Sequence, residues 1–274
     1  MTQTADPVNN ADLKTQVHDF WNANSCGEVY AVGDSEAEAY DAQAATRYAL
    51  EPFIARFAKF HEGAGKKVLE VGVGMGADHT QWMRSAPARL VGVDLTPRAI
   101  GFTRKRCPAS SLSVADAEVL PLPSEAFDIV YSWGVIHHSP DTPRCVAEIH
   151  RVLRPGGVAR VMIYHTSSIV GFMLWARYAL LAGRPSTSMR EIYSRYLESP
   201  GTKAYSLSEA RELFRAFSSF NASIELSPGD LFTGEAGQRH NGVALKVLRR
   251  IWPRGIVKKV FRQRGLFLLI EARK

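Results

Sequence analysis

The sequence predicts an α/β fold in which a doubly wound, Rossmann-like, mostly parallel sheet of seven strands carries helices on both faces. From Lys67 onward, apolar runs of strand length alternate with helical stretches of about 10–15 residues, the pattern of βαβ units. A glycine-rich turn follows the first of these strands directly, between Val71 and Ala77. The composition, with 46% hydrophobic and 22% charged residues among 274, is that of a folded globular chain.

The core strands are expected at the apolar runs 68–71, 88–93, 112–114, 127–132 and 158–164, with helices at 78–85, 97–107 and 141–153. Parallel strands joined in this way wind right-handed. Ligands of such sheets bind at the carboxyl ends of the strands. Two further runs, 223–226 and 266–272, are expected to complete the sheet as an antiparallel edge.

Further helices are predicted on either side of this core. Apolar residues at helical spacing from Leu13 to Trp21 predict a helix over 12–24. Residues 35–60 predict one or two more, with a break at Glu51-Pro52. After the fifth strand, an apolar, aromatic helix is expected over 169–181. A capping box that begins at Ser206 opens another helix, which extends to residue 217.

The bulk composition disfavours several classes of protein. The sequence contains no apolar run of the roughly 18 residues that a membrane-spanning helix needs. The first ten residues are polar and do not resemble a signal peptide. Cys26, Cys107 and Cys145 are odd in number and form no C-x-x-C pair, which predicts reduced thiols in a cytoplasmic protein.

The positive charge of the chain is concentrated in one segment. The net charge is +7, and residues 239–264 contain nine Lys or Arg residues and no acidic residue. Such a segment is able to attract nucleic acid, an anionic membrane surface or an acidic substrate. A solvated helix face has the same composition, so the sequence leaves these alternatives open.

The most informative segment is Val68-Leu-Glu-Val-Gly-Val-Gly-Met-Gly-Ala77, at the junction of the first strand and its helix. Glycines allow a sharp turn there and a close approach of the backbone to a ligand. The segment also satisfies the dinucleotide pattern G-x-G-x-x-G/A through Gly72, Gly74 and Ala77. An NAD(P)-dependent oxidoreductase is therefore one alternative.

Two acidic residues help to choose the cofactor. Glu70 stands two residues before the first glycine, where a carboxylate suits a pyrophosphate badly but favours a cation such as an amino group. Asp94 ends the second strand, where a carboxylate is able to accept both hydroxyls of a ribose. Glu70 therefore favours a cofactor with a methionine-like amino group, whereas Asp94 fits either cofactor.

From about Lys67 to Tyr164 the sequence resembles the class I S-adenosylmethionine-dependent methyltransferases, especially the group with the ubiquinone and menaquinone methyltransferases. The resemblance rests on the glycine segment, Val-Gly-Val-Asp94-Leu95, Ala115-Asp116-Ala117-Glu118-Val-Leu-Pro-Leu-Pro, Phe127-Asp-Ile-Val-Tyr-Ser132 and Leu153-Arg-Pro-Gly-Gly157, in that order. The chain departs from the family where Ser113-Val-Ala-Asp116 replaces the usual Gly-Asp. The resemblance implies an enzyme that methylates small molecules. It also implies that S-adenosylmethionine is bound by Glu70, Gly72, Gly74, Gly76, Asp94, Leu95, Asp116, Ala117 and Trp133.

The resemblance also implies how the chain is divided. Residues 1–62 are expected to form an N-terminal helical lid and residues 63–165 the cofactor-binding core. Residues 166–274 are expected to add substrate-side helical insertions and the last strands of the same domain. Trp21 and Tyr30 of the lid are candidates for the substrate pocket, although a packed aromatic core explains them as well. Tyr164 and His165, which end the fifth strand, are further pocket candidates.

Candidate catalytic bases follow the fourth strand. Methyl transfer from an activated sulfonium requires mainly orientation, and a base only where the acceptor is a weakly acidic hydroxyl or carbon. His137 and His138 lie in this loop, and adjacent side chains point in different directions, so at most one is expected to meet the acceptor. Hydrogen bonds that hold the loop are the alternative role. No metal site is predicted, since no compact set of ligands stands out.

The acceptor is the least defined part of the prediction. The apolar helix over 169–181 and the basic segment suggest an apolar acceptor, quinone-like or prenyl diphosphate-like, and contact with a membrane surface or lipid. The same helix could pack against a second copy of the chain, which leaves a homodimer open. A small molecule with an oxygen, nitrogen or carbon nucleophile is the broader expectation. A nucleic-acid methyltransferase is a further alternative, disfavoured because no Asn-Pro-Pro-Tyr-type motif follows the fourth strand.

Overall fold

A computed structural model of the chain describes residues 10–233, 250 and 252–274. Its strands are β1 (Lys67–Val71), β2 (Arg89–Asp94), β3 (Ser111–Val114), β4 (Phe127–Trp133), β5 (Leu153–Tyr164), β6 (Ser219–Glu225) and β7 (Phe267–Arg273). They form one sheet in the order β3-β2-β1-β4-β5-β7-β6. The first five strands pair in parallel, and β7 runs antiparallel between β5 and β6. The predicted fold class, including the antiparallel edge, is confirmed.

Each helix that the sequence predicted lies close to its expected position, and the structure adds others. The helices are α1 (Asn10–Ala23), α2 (Glu36–Leu50), α3 (Ile54–Ala58), α4 (Ala77–Arg84), α5 (Pro97–Arg106), α6 (Thr142–Val152), α7 (Ile169–Trp175), α8 (Met189–Tyr196), α9 (Leu207–Leu213), α10 (Pro228–Leu231) and α11 (Arg254–Val260). A π-helical turn, Ala176–Leu180, continues α7, and short 3-10 turns occur at Glu28–Tyr30, Phe60–Gly63, Ile136–His138 and Arg262–Arg264. Complete capping boxes begin α2 at Ser35 and α9 at Ser206, because each serine and the glutamate three residues later satisfy the exposed backbone N–H groups.

The sheet is buried on both faces, because alternate residues of each strand point to opposite sides. On β1, Val68 belongs to the same apolar cluster as Trp82 of α4, whereas Leu69 belongs to the cluster of Ile149 on α6 and Phe214, the residue after α9. Most residues of such a strand are therefore apolar, which explains the nearly continuous apolar runs in the sequence. The carboxyl ends of β3, β2, β1, β4 and β5 therefore meet along one edge.

β5 begins earlier than predicted. Leu153 already pairs with Phe127, and the next pair in register joins Val158 to Ile129. The Arg-Pro-Gly-Gly sequence that the family resemblance places before the strand lies inside it as an irregularity of the ladder. Gly156, with φ of +78°, supplies the left-handed residue that this bulge requires.

Two sequence features fall largely outside the described residues. They are the polar first nine residues and, within the basic segment, residues 239–249 and 251. The described remainder of that segment includes α11. Among the described residues, no helix combines the length and the apolar character needed to cross a membrane.

Candidate functional site

The glycines of the turn after β1 have different surroundings, one packed and one open. Gly72, Gly74 and Gly76 all have positive φ, at +84°, +50° and +76°. A methyl group on Gly72 would lie 2.1 Å from Cγ2 of Val135, so this position has no room for a side chain. At Gly74 no atom lies within 4 Å of the corresponding position. Gly72 therefore closes the packing of the turn, whereas Gly74 borders open space.

That space is a cavity of about 1650 Å³ along the carboxyl edge of the sheet. It is larger than the roughly 300–1,000 Å³ typical of a single small-molecule pocket. Its lining extends from Asp116, beyond β3, to Phe267 of β7, which spans five strand spacings of about 4.8 Å each. We call the part beside β1, β2 and β3 the glycine end, and the part beside β5, β7, α7 and α10 the apolar end.

At the glycine end, Asp94 is held by the backbone around it. Its Oδ1 accepts from the backbone N–H of Thr96 at 2.9 Å, and its Oδ2 accepts from the N–H of Gly74 at 3.2 Å. Burial raises the pKa of Asp94, although these hydrogen bonds oppose the rise. Leu95 and Ala117, which follow Asp94 and Asp116 in the chain, also line the cavity.

Asp116 has a partner that the sequence did not suggest. Nζ of Lys14, on α1, lies 2.6 Å from Oδ2 of Asp116 and 2.5 Å from Oε2 of Glu118. Because Asp116 and Glu118 follow β3, this pair of contacts holds α1 across the glycine end. A second contact fixes the same region, since Arg98 of α5 forms a bidentate pair with Glu28.

Glu70 lines the cavity but is already paired. His79 lies on α4, and its Nδ1 is 2.8 Å from Oε2 of Glu70, with both side chains buried. Burial raises the pKa of Glu70 to about 7, although the contact with His79 opposes the rise. His79 therefore lies in the interior of the site as the partner of Glu70.

A buried ion pair beside β4 was not predicted. The carboxylate of Asp78 accepts two hydrogen bonds from Arg47, at 3.2 and 2.6 Å, and one from each hydroxyl of Tyr48 and Tyr131, at 2.8 Å. Burial alone would raise the pKa of Asp78, but Arg47 and these hydrogen bonds lower it below its ordinary value. Arg47 lines the cavity, and its guanidinium lies over the ring of Trp133 at 6.0 Å.

Glu51 lies next to this pair and is less well satisfied. Its Oε2 is buried without a hydrogen bond, 3.7 Å from Nη1 of Arg47. Burial raises the pKa of Glu51 to about 7. Arg47 and Glu51 stand one helical turn apart at the end of α2, a spacing that was visible in the sequence but pointed to no particular site.

The two adjacent histidines occupy different environments. His138 lines the cavity, with Nδ1 lying 2.8 Å from Oγ of Ser199 and 3.1 Å from Oγ1 of Thr202. His137 is fully buried and absent from the cavity lining; neither of its nitrogens has a hydrogen-bond partner, and its ring packs against Tyr164 at 4.0 Å. Burial lowers the pKa of both, that of His138 to about 3, so both rings are neutral at neutral pH.

Of the other predicted site residues, some line the cavity and some do not. Trp21, Tyr30, Trp133 and Tyr164 line the cavity. Gly76 does not; it forms the N-cap of α4 instead. His165 is also buried away from the cavity, and its Nδ1 lies 3.2 Å from the carbonyl oxygen of Gly265.

The apolar end is lined by residues distant from one another in sequence. They include Met162, Val170, Met173, Leu174, Leu181, Leu197, Phe232, Leu266 and Phe267. Glu198 and Arg177 are its charged members. No motif marks Glu198 in the sequence, since it lies in a loop after α8 without a recognisable pattern. Among the described residues, no cluster of three or more His, Cys, Asp or Glu side chains suits a metal ion.

Comparison with known families and structures agrees with this geometry. Residues 69–161 match the model of a methyltransferase domain family. Over 116 residues the chain is 39% identical to a phthiotriol/phenolphthiotriol dimycocerosates methyltransferase of Mycobacterium leprae, a match that covers 39% of this chain and 43% of the relative. Over 144 residues it is 34% identical to a malonyl-[acyl-carrier protein] O-methyltransferase of Serratia marcescens, covering 53% of this chain and 54% of the relative. The chain thus spans about half the length of these curated relatives.

Solved structures share the fold at low sequence identity. A methyltransferase from Mesorhizobium loti matches 80% of this chain and 98% of its own length, with a TM-score of 0.55 and 17% identity. A phosphoethanolamine N-methyltransferase of Haemonchus contortus matches 94% of this chain and 60% of its own length, with a TM-score of 0.58 and 16% identity. These comparisons support neither an oxidoreductase nor a nucleic-acid methyltransferase.

Proposed function

We propose that the chain transfers the methyl group of S-adenosylmethionine to an apolar small-molecule acceptor, because residues 69–161 match a methyltransferase domain family. The observation that carries the proposal is the single cavity along the strand ends. It joins an open glycine turn with two flanking carboxylates to an apolar compartment. The methyl donor belongs at the glycine end and the acceptor at the apolar end.

The residues of the glycine end fit the donor. Space next to Gly74 allows the backbone to approach a ligand. Each oxygen of Asp94 already accepts hydrogen bonds, but a carboxylate has about four lone-pair sites and so retains capacity for the ribose hydroxyls. We propose that Asp116 accepts from the adenine amino group and that Leu95 and Ala117 contact the adenine ring.

At the methionine end, Arg47 suits the carboxylate of the donor and Glu70 its amino group. Nε and Nη2 of Arg47 donate to the carboxylate of Asp78, whereas Nη1 lies 3.7 Å from Oε2 of Glu51. A planar guanidinium is well suited to a second carboxylate. When bound, the cofactor supplies an activated methyl group, so the protein mainly orients the acceptor and excludes water.

The division of the chain follows from these roles. We propose that residues 1–62 act as a lid, because Lys14, Trp21 and Tyr30 all line the cavity. Residues 63–165 carry most of the donor site, and the described residues between 166 and 274 complete the acceptor compartment. The cysteines of the chain are free thiols, which supports a reducing, cytoplasmic location.

The acceptor compartment suits a lipid-like molecule. Residues 165–190 contain no Asp or Glu. This segment supplies one wall of the cavity, where Leu181 both lines the cavity and is 83% exposed. Phe172 and Leu180 of the same segment are also exposed. We propose that this rim, with Arg177 and Arg184, touches an anionic membrane surface from which the acceptor enters.

Calorimetry with S-adenosylmethionine and with NAD⁺ tests the donor site. The wild-type chain should bind the first and not the second, and Asp94→Ala should weaken binding about 100-fold, because it removes charge-assisted hydrogen bonds. Asp41→Asn changes an exposed carboxylate on α2 and serves as the control. Tight binding of NAD⁺ alone would overturn the proposal.

Flotation with vesicles tests the rim. The chain should bind vesicles that contain phosphatidylglycerol more than neutral vesicles, and Leu181→Ser should reduce binding several-fold. A mass-spectrometric search for products heavier by one methylene group, from lipid extracts, would then identify the acceptor. Concentration-dependent dimerisation that Leu181→Ser abolishes, without vesicle binding, would show instead that a second copy covers this surface.

A further inference from the structure

Glu198 is the carboxylate of the apolar end, and two side chains from different parts of the fold hold it. The hydroxyl of Tyr164, at the end of β5, donates to its Oε2 at 2.7 Å. Nε2 of His138 lies 3.4 Å from the same oxygen. All three side chains line the cavity.

The loop that carries Glu198 is built around the imidazole of His138. Ser199 and Thr202 contact Nδ1, and the hydroxyl of Thr202 donates to the carbonyl of Ser199 at 2.6 Å. The backbone N–H of Lys203 donates to the carbonyl of His137 at 3.0 Å, which ties the loop to the turn after β4. His138 is therefore fixed by the segment whose carboxylate it faces.

The lid closes over the same group. The ring of Trp21, on α1, meets His138 edge-on at 5.1 Å. Gly201 has a φ of +75°, and a methyl group there would lie 2.8 Å from the side chain of Leu13, so the loop packs tightly against α1. Water is thereby displaced from one side of the His138 ring, which strengthens electrostatic interactions around it.

The two partners of Glu198 are uncharged at neutral pH. Burial, reinforced by Lys203, lowers the pKa of His138 to about 3. Burial, reinforced by Glu198, raises the pKa of Tyr164 well above its ordinary value. Asp78 shows the contrast, because the guanidinium of Arg47 stabilises its charge and lowers its pKa. A neutral donor such as the hydroxyl of Tyr164 orients the carboxylate of Glu198 while leaving it more basic than a cationic partner would. The neutral ring of His138 lies beside the same oxygen and adds no positive charge.

We propose that Glu198 is the proton acceptor for a hydroxyl nucleophile of phenol-like acidity, with His138 and Tyr164 as its positioning residues. This assignment rests on the proposed methyltransferase function. A neutral amine or an ionised thiol needs no base, whereas a hydroxyl does. Among hydroxyls, a phenol, with a pKa of about 10, is within reach of a carboxylate base.

In the methylation of a hydroxyl acceptor, the O–H bond of the acceptor breaks and its proton passes to a carboxylate oxygen of Glu198. An electron pair of the acceptor oxygen forms the new bond to the methyl carbon. The sulfur–methyl bond of the donor breaks, and its electron pair stays on sulfur. The products are the methyl ether, S-adenosylhomocysteine and protonated Glu198, which returns its proton to solvent.

A series of 4-octylphenols with increasing ring fluorination tests the role of Glu198, because the octyl chain suits the apolar end and fluorine increases the acidity of the hydroxyl. Glu198→Gln should slow methylation of 4-octylphenol about 100-fold. The loss should shrink towards none for the tetrafluoro compound, which is already ionised at pH 7. His138→Ala should show the same trend with a smaller loss, and both variants should bind S-adenosylmethionine as the wild type does.

The control is Glu191→Gln, which changes a partly exposed glutamate on the neighbouring helix α8. A loss of equal size across the whole series would show that Glu198 is structural. An acidity-dependent loss for Glu51→Gln instead would assign the base to Glu51. Methylation of octylamine or octanethiol, but of no phenol, would overturn the hydroxyl class. Failure of the wild type to bind S-adenosylmethionine would refute the methyltransferase function itself.

Discussion

The two ends of the cavity are built by different means. At the glycine end, the turn after β1, Asp94 and Asp116 lie within one contiguous region of the chain and at successive strand ends. At the apolar end, Tyr164, Glu198 and Phe267 come from β5, a loop after α8 and β7. The first end is local in sequence, whereas the second exists only after the whole chain has folded.

The ends also differ in how their polar groups are satisfied. Asp94 receives backbone hydrogen bonds from its own strand end and from the glycine turn. Glu198 is held by side chains, and Glu51, between the two ends, has a buried oxygen without a hydrogen bond. A donor site with backbone partners tolerates changes elsewhere in the chain. An acceptor site that relies on side chains is free to change its specificity, a common division in folds that support many chemistries.

Alanine substitutions in the glycine turn should separate packing from binding. Gly72→Ala combines a φ of +84° with a 2.1 Å approach to Val135, so we expect a loss of about 3 kcal/mol in unfolding free energy. Gly74→Ala meets no atom within 4 Å and should cost about 1 kcal/mol, yet weaken donor binding at least tenfold (about 1.4 kcal/mol). Thermal melts and calorimetry measure the two effects.

Gly101→Ala is the control. Gly101 lies exposed on α5, and no atom lies within 4 Å of the position that an added methyl group would take. It should be neutral or slightly stabilising, since alanine favours helix over glycine. Equal losses of stability and of donor binding in both turn variants would show that the whole turn serves one purpose, and the contrast between Gly72 and Gly74 would fail.

The same contrast explains what the sequence could predict. Glycine, aspartate and strand ends recur at fixed local spacings, so Gly72, Gly74 and Asp94 were predicted from pattern, and Asp116 from the family resemblance. His137 and His138 were found as a pair, but only the 3-10 turn at Ile136–His138 decides which ring reaches the cavity. His165 was placed in the pocket because it ends a strand, yet it hydrogen-bonds the chain just before β7 instead.

Arg47, Glu51, Glu198 and Lys14 were missed for a common reason. Each acts through a contact with a residue at least 30 positions away, apart from the i,i+4 approach of Arg47 to Glu51. Charged residues on a helix or in a loop are usually solvated, and no local pattern marks the few that turn inward. The fold class was predictable because it depends on the local alternation of apolar strands and helices. These contacts were not predictable because no local pattern marks them.

The partly satisfied Glu51 should make the stability of the chain depend on pH. Its pKa in the folded state is about 7, against an ordinary value of 4.5. A raised folded-state pKa means that the stabilising protonated form is fully present below pH 4.5 and is lost as the pH rises through 7. Glu51→Gln should therefore match the wild type at pH 5 and exceed it by on the order of 2 kcal/mol at pH 8.

Chemical denaturation at the two pH values measures this difference. Glu70 also has a raised pKa, but it is present in both proteins, so the difference between them isolates Glu51. Glu191→Gln is the control, because it makes the same substitution at a partly exposed position of a neighbouring helix. If Glu51→Gln is less stable than the wild type at pH 8, then the ion pair between Arg47 and the Glu51 carboxylate stabilises the fold. That result would contradict the prediction.

The smallest expected effect concerns a contact that joins the glycine end to a distant part of the chain. Lys14 joins α1 to Asp116 and Glu118, and its side chain is 31% exposed. Partly exposed ion pairs contribute about 0.5–1 kcal/mol, so Lys14→Ala should release S-adenosylmethionine only about threefold to fivefold faster. Because salt screens such pairs, the wild-type release rate should rise with added salt more than that of the variant. Stopped-flow competition at low and high salt measures both rates, with the exposed Lys66→Ala as control. Equal release rates at low salt would mean that the pair between Arg98 and Glu28 holds the lid without help from Lys14.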